Sequence, residues 1–392
     1  MNIPKLRFPE FKDEWKKKKL GEITFKTDKK NKSKELLPVY SISNKFGFIP
    51  QATQFEGMDS IERGYDTTLY KIIENNTFAY NPARINVGSI GYNENFGRLI
   101  VSSLYVCFKT TEVVDDKFLN HFFDTNKFNN YVLSHGEGGV RIYLFYENFS
   151  LIPFYLPSLP EQKRIASFFT VLDKKIAELK QKKSLLEQYK RGVMQKIYSQ
   201  KIRFKEHNGK DFPKWEKLKL SDVSIISMGQ SPESKAYNNE GNGMPLIQGN
   251  ADIQNRKSNP RNWTTHITKE CSIGDLLLTV RAPVGSVAKS IHNACIGRGV
   301  CSIRNNAKSN IEFLYQFLLD YELQWGRLEQ GSTFTAISGS DIKSIGIQLP
   351  SLEEQSKIAN FLSSIDEKIN LTENQIQQTL LYKKGILQKM YI

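Results

Sequence analysis

Apolar positions along this chain alternate between two regimes. Over residues 156–199, and again from 349 to 392, they recur at spacings of three, four and seven. That is the period of one helix face. Ile165, Phe168, Phe169, Leu172, Ile176, Leu179, Leu186 and Val193 form the first series. Ile358, Phe361, Leu362, Ile365, Ile369, Ile376 and Ile386 form the second. Past its opening residues neither run contains a proline, so each predicts a helix of roughly 60 Å at 1.5 Å per residue. Such a helix needs a partner along its length. Each seam supplies one for the other, with Lys183 and Thr372 as polar interruptions, and a short antiparallel coiled coil is expected. Ser158-Leu-Pro-Glu161 and Ser351-Leu-Glu-Glu354 read as capping boxes that start the two helices.

The intervening stretches are mixed. Leu99–Phe108 and Leu151–Leu156 look like strands, and a helical patch lies near Phe118–Val132. A strand at Asp275–Val280 and a helix near Ile311–Leu328 follow. The predicted organisation is a domain over 1–155, a long helix over 156–199, a second domain over 200–348 and a second long helix over 349–392. The fold class is α+β: two similar mixed α/β domains separated by two long antiparallel helices, related by an internal pseudo-twofold repeat.

The repeat is visible residue by residue. LPSLPEQKRIASFFTVLDKKI at 156–176 aligns without a gap with LPSLEEQSKIANFLSSIDEKI at 349–369. Tyr189-Lys190 matches Tyr382-Lys383, and Gly192 matches Gly385. More faintly, Arg7-Phe8 matches Arg203-Phe204, Trp15 matches Trp215, and Val87-Gly88-Ser89 echoes Val284-Gly285-Ser286. A repeat of half the chain is too long for a solenoid unit. The frame recurs while the other residues differ, as in two readers of one architecture with different specificities. A head at each end of a helical rod is the simplest expected result.

Charge narrows the partner. The 392 residues carry a net charge of +14, which points to a polyanion. No apolar run suggests a leader or a membrane span, so the expected location is the cytoplasm. Four cysteines show no C-x-x-C pair and no histidine spacing suited to a metal, which predicts buried thiols and no metal site. No phosphate-binding G-x-x-x-x-G-K-[ST] loop is present. Tyr80-Asn81-Pro82-Ala83 faintly resembles the N-P-P-[YF] loop of adenine methyltransferases, but it lacks the second proline and the aromatic residue. It reads as a strand-to-loop turn.

The binding signals are better. Gly229-Gln230-Ser231-Pro232 is a polar turn after a strand-like run, and Gln248-Gly249-Asn250 offers amides suited to adenine edges. Arg84 and Arg281 occupy repeated R-x-x-V-G-S turns, and Arg298 lies between two glycines. The glycine turns at Gly136–Arg141 and Gly331–Phe334 precede each long helix.

The motif L-P-x-L-x-E-Q-x-[KR]-I-A-x-F, at Leu156–Phe168 and Leu349–Phe361, resembles that of the specificity subunits of type I restriction–modification enzymes. The resemblance spans essentially the whole chain. It implies two target-recognition domains, each reading half of a split double-stranded DNA sequence. It also implies an adenine methyltransferase subunit (HsdM), in two copies, that uses S-adenosylmethionine. A translocase–nuclease subunit (HsdR) would use ATP and Mg2+, and no cofactor would sit on this chain. The residues expected at DNA are Ser43, Asn44, Lys45, Arg84, Asn86, Ser89 and Arg141 in the first half. In the second half they are Gln230, Ser231, Gln248, Asn250, Arg281, Ser286, Arg298, Ser332 and Thr333. Phe168, Leu172, Ile176, Phe361, Ile365 and Ile369 are the expected partner-docking positions on the helices. The first half lacks G-x-S-P and has Tyr40-Ser-Ile-Ser-Asn44 instead. The rival reading is an adaptor that assembles partners through its paired helices and binds no DNA.

Overall fold

The computed structural model describes residues 2–55, 57–139, 142–329 and 336–392, with side chains throughout these except at 323 and 326–329. Two compact units emerge. One comprises Met1–Leu179 and Asn374–Ile392, the other Lys180–Glu373. The division falls inside both long helices, which run over Leu159–Tyr198 and Leu352–Met390.

In the first unit an antiparallel sheet orders its strands Thr24–Thr27, Val106–Thr110, Thr77–Tyr80, Ile90–Asn93. A second sheet orders Gly47–Pro50, Val39–Ser43, Leu99–Val101, Lys71–Ile73. In the second unit the corresponding sheet begins Ser224–Met228, Val300–Asn305, Leu276–Thr279, Val287–Lys289. Its other sheet contains Met244–Ile247 paired in parallel with Ala294–Ile296, as Val39–Ser43 pairs in parallel with Leu99–Val101. The same frame is therefore built twice.

The expected strand over Leu99–Phe108 is two strands in different sheets. Ser102–Tyr105 turns between them, with the Tyr105 amide donating to the Ser102 carbonyl at 3.1 Å. The helical patch near Phe118–Val132 is also two elements, Asp116–Phe123 and Asn126–His135. Thr125 breaks it, because its hydroxyl accepts from the Phe128 amide at 3.1 Å and caps the second helix. The helix expected near Ile311–Leu328 spans Ile311–Glu329.

In each unit the halves of the long helices pair antiparallel. In the second, Lys183 meets Glu373 at 2.8 Å and Lys190 meets Asp366 at 2.7 Å, stepping up one helix and down the other. In the first, Asp173 meets Lys383, and Ile165 shares a core with Met390. The polar interruptions are thus satisfied. Lys183 is ion-paired, and Thr372, 2% exposed, donates to its own helix at the Lys368 carbonyl.

The repeated start of each long helix does a different job from the expected capping box. Glu161 is 1% exposed, and its carboxylate accepts from Arg7 at 2.7 and 2.8 Å and from the Trp15 indole at 3.2 Å. Glu354 is 0% exposed and accepts from Arg203 at 3.2 and 2.7 Å and from the Trp215 indole at 2.9 Å. Ser351 retains half of a box, accepting the Glu354 amide at 3.4 Å. The next residue is a clamp. Gln162 accepts from the Asp115 amide and donates to Val113 and Pro157 carbonyls. Gln355 accepts from the Asn310 amide and donates to Lys308 and Pro350. The Glu-Gln pair thus ties each helix start to its own head, by charge-assisted bonds that also satisfy buried backbone groups. The matching Arg and Trp residues of the repeat are the other ends of these bonds.

One buried position differs. Gln316 donates to Asp366 at 2.8 Å in the second unit. His121 follows Leu119 as Gln316 follows Leu314, and burial first, then Lys383, pushes its pKa down to about 4.

Candidate nucleic-acid interface

In the second unit three backbone segments converge at a junction that only glycine permits. A Cβ on Gly229 would lie 2.2 Å from the Gly297 carbonyl oxygen, and one on Gly299 would lie 2.2 Å from that of Gln248. The Gly229 amide donates to Val300 O at 2.9 Å, and the Gln230 amide to Ile296 O at 2.9 Å. Ser231 is half-buried, and its hydroxyl accepts the Arg298 amide at 3.1 Å. Gln248 is also half-buried. The side chains left exposed on this junction are Gln230, Asn250 and Arg298. Backbone locked on several sides holds such side chains at a defined place, as base reading requires.

Arg281 follows the strand Leu276–Thr279 and is exposed. Its loop is closed by Gly285 at φ 85, where a Cβ would strike the Trp325 ring. The half-buried Ser286 donates its amide to the Thr279 hydroxyl at 2.9 Å. Ser332 and Thr333 lie outside the described residues, as does Arg141.

The first unit presents Asn44 and Lys45, both exposed, at the tip between Val39–Ser43 and Gly47–Pro50. Ser43 accepts the Lys45 amide at 3.2 Å and shapes that tip. Arg84 is exposed and Asn86 half-buried in the loop before Ile90–Asn93. Ser89 does not fit its expected role: it is 2% exposed and donates to the Ile42 carbonyl at 2.9 Å, tying two sheets together. The Asn81 side chain accepts the Ala83 amide at 3.0 Å, so Tyr80–Ala83 is a strand-to-loop turn.

Charge pairing divides the arginines into two groups. Arg7, Arg98, Arg164, Arg203, Arg256, Arg261 and Arg304 each have a carboxylate partner. Among the described residues Arg84, Arg281 and Arg298 have none, nor do Arg63 and the helix residue Arg191. Exposed guanidinium groups without an internal acid are free to bind phosphate or the edge of guanine.

Sheet register also reveals what sequence reasoning missed. Thr24–Thr27 and Ser224–Met228 occupy the same edge, so Lys29, Lys30 and Lys32 follow the first as Gly229-Gln230-Ser231-Pro232 follow the second. Tyr40–Asn44 is therefore not the stand-in for G-x-S-P. By the parallel pairs Val39 with Ile100 and Leu246 with Cys295, Ser41–Ser43 corresponds to Gln248–Asn250. No residue identity within these turns marks either relation.

The six helix positions expected to dock partners are occupied within this chain. Phe168 packs edge-on against Phe8 at 6.0 Å, and Phe361 against Phe204 at 5.7 Å. Ile176 and Ile365 are buried, and Leu172 and Ile369 lie against the two cores. The exposed apolar side chains of the long helices are instead Val171, Leu185, Tyr189, Leu352, Leu371, Leu380, Leu381 and Tyr382.

Among the described residues no cluster of His, Cys, Asp or Glu could hold a metal ion, and no helix is long and apolar enough to cross a membrane. All four cysteines are buried and free, and burial pushes the Cys107 and Cys301 thiols up to about 12.

Residues 12–188 and 213–382 each match the type I restriction modification DNA specificity domain, so the chain belongs to that family and carries its domain twice. The putative type I restriction enzyme MjaX specificity subunit of Methanocaldococcus jannaschii is 36% identical over 242 residues, 59% of this chain and 56% of that protein. The MjaIX specificity subunit of the same organism is 33% identical over 199 residues, 47% of this chain and 45% of the relative. The chain thus spans about half the length of these relatives. A chain from a structure of type I restriction–modification complex assembly and conformational transition is similar at TM-score 0.63 and 25% identity, covering 96% of this chain and 97% of that one. The type I restriction–modification S subunit from M. genitalium shares the fold at TM-score 0.62 and 12% identity, covering 100% and 99%.

Proposed function

We propose that this chain is the non-catalytic DNA-reading subunit of a type I restriction–modification complex, recognising a bipartite, asymmetric sequence in double-stranded DNA. Each unit reads one half. Arg281 and Arg298, with Gln230 and Asn250, read the half assigned to the second unit, and Asn44, Lys45 and Arg84 serve the first. Methylation of adenine is performed by two copies of a methyltransferase subunit using S-adenosylmethionine. Cleavage is performed by an ATP- and Mg2+-dependent translocase–nuclease subunit. The observation that carries this reading is the set of unpaired arginines on loops held rigid by glycine, in two different versions of one frame. The net charge of +14 supports it.

Arg298→Ala supplies the test. A bidentate arginine–guanine contact is worth about 1–3 kcal/mol of discrimination. In the complex reconstituted with its methyltransferase subunit, the variant should relax one base position in one half-site by roughly tenfold or more, leaving the other half unchanged. Methylation mapping with unaltered preference at every position would remove Arg298 from the reading surface.

A further inference from the structure

We propose that the first unit carries a nucleotide-binding pocket beside Arg84, with a phosphate held on Arg84 and Arg63 and a base lying against the exposed Tyr65 and Phe55 on the ring faces that Arg63 leaves uncovered. The cavity measures about 410 Å³, within the range of small-ligand sites. Among the described residues its lining contains no carboxylate, although the chain has 41 acidic residues. The Arg63 guanidinium lies 4.3 Å from the centre of the Phe55 ring and 5.1 Å from that of Tyr65. Stacked so, it is held in place, and it also donates to the Asp59 carbonyl at 3.2 Å. Arg84 has no side-chain partner among the described residues. Gln54 and the Asn81 amide add polar groups to the same wall. Two guanidinium groups, aromatic faces and amides suit an anion attached to a planar ring, which is a nucleotide.

Among the described residues, backbone crowds the matching place in the second unit. Sheet register makes Ser41, Ser102 and Leu104 of the cavity wall equivalent to Gln248, Gly297 and Gly299. There, Gly299 approaches the Gln248 carbonyl too closely for any Cβ, and Gly297 lies against Gln248 and Ser231. Backbone contact closes in one unit what side chains hold open in the other. The pocket is thus a property of the first unit, beyond the pairwise reading of half-sites proposed above. Its nucleotide comes either from a strand of bound DNA, which rests on that reading, or from free solution.

Calorimetric titration of the intact chain with the four 2′-deoxynucleoside 5′-monophosphates, and with inorganic phosphate, tests the pocket. At least one mononucleotide should bind at or below about 1 mM, more tightly than phosphate alone. Arg84→Ala should weaken it about tenfold, and Arg84→Lys should recover only part, because lysine lacks the planar fork. Arg84 is exposed, so the melting temperature should not move. No mononucleotide binding, or binding indifferent to Arg84→Ala, would overturn the proposal. Added duplex DNA identifies the source: displacement of the mononucleotide assigns the pocket to a DNA strand, and simultaneous binding assigns it to a free nucleotide. A chain that binds duplex but no mononucleotide loses the pocket and keeps the DNA-reading role. One that binds mononucleotide but no duplex does the reverse.

Discussion

Deleting residues 386–392 should unfold the first unit and leave the second folded. Leu387, Met390 and Tyr391 are 3%, 3% and 6% exposed and belong to the core that contains Trp15, Phe118, Phe122 and Ile165. Tyr391 stacks on Phe118 at 4.9 Å, meets Trp15 edge-on at 6.4 Å and donates its hydroxyl to the Phe118 carbonyl at 2.8 Å. Each such side chain stabilises by about 1.5–3 kcal/mol. Their joint loss, roughly 6 kcal/mol, is comparable to the whole stability of a typical domain, about 5–15 kcal/mol. The core of the second unit contains none of them. Calorimetry combined with limited proteolysis should show the truncated chain losing the transition that protects residues 1–179. Retention of that transition would mean the C-terminal segment is dispensable to the first core.

Glu354→Ala should destabilise the second unit by about 3 kcal/mol or slightly more, the lower part of the range for breaking a buried charge pair. Glu354 is fully buried, and its loss strands both Arg203 and the Trp215 indole. The Arg203 side chain is 23% exposed, so water recovers part of the cost. Glu354→Gln, which keeps an acceptor for Trp215, should cost about 1–2 kcal/mol. Glu161→Ala should repeat the effect in the first unit, where Arg7 and Trp15 take the same roles. Denaturant melts in which Glu354→Ala shifts stability by less than about 1 kcal/mol would reduce the network to incidental contacts.

The long helices and the duplication were legible because both halves need the same bonds at the same places. Leu156–Phe168 and Leu349–Phe361 keep Glu and Gln where each helix grips its own head. The nature of that grip was not legible. S-x-x-E satisfies a local capping rule, and nothing near it announces an arginine 154 residues away in the chain. Amphipathic spacing likewise finds a buried face without saying whose core it enters, so the last turn of the chain gave no sign of completing the first unit. Among candidate contacts, exposure was readable for Arg84, Arg281 and Arg298, which sit in glycine-closed turns. Ser89 looks the same in sequence, yet its hydroxyl finds a carbonyl 47 residues away. The equivalence of Lys29–Lys32 with Gly229–Pro232 keeps the 200-residue offset of Trp15 and Trp215, but no identical residue within the two turns draws attention to it. Loop insertions shift the offset only beyond that turn, before Ser41 and Gln248, and leave no trace of the Arg63–Arg84 pocket in the residue order.

The most direct test is methylation mapping in a cell that carries this chain with its methyltransferase subunit, before and after residues 222–335 are replaced by the matching stretch of a related specificity subunit. Two independent readers on one chain predict an asymmetric motif of two short blocks and a fixed gap. After the exchange one block should change, while the other block and the gap stay as they were. A single uninterrupted motif, or an exchange that rewrites both blocks, would contradict the account.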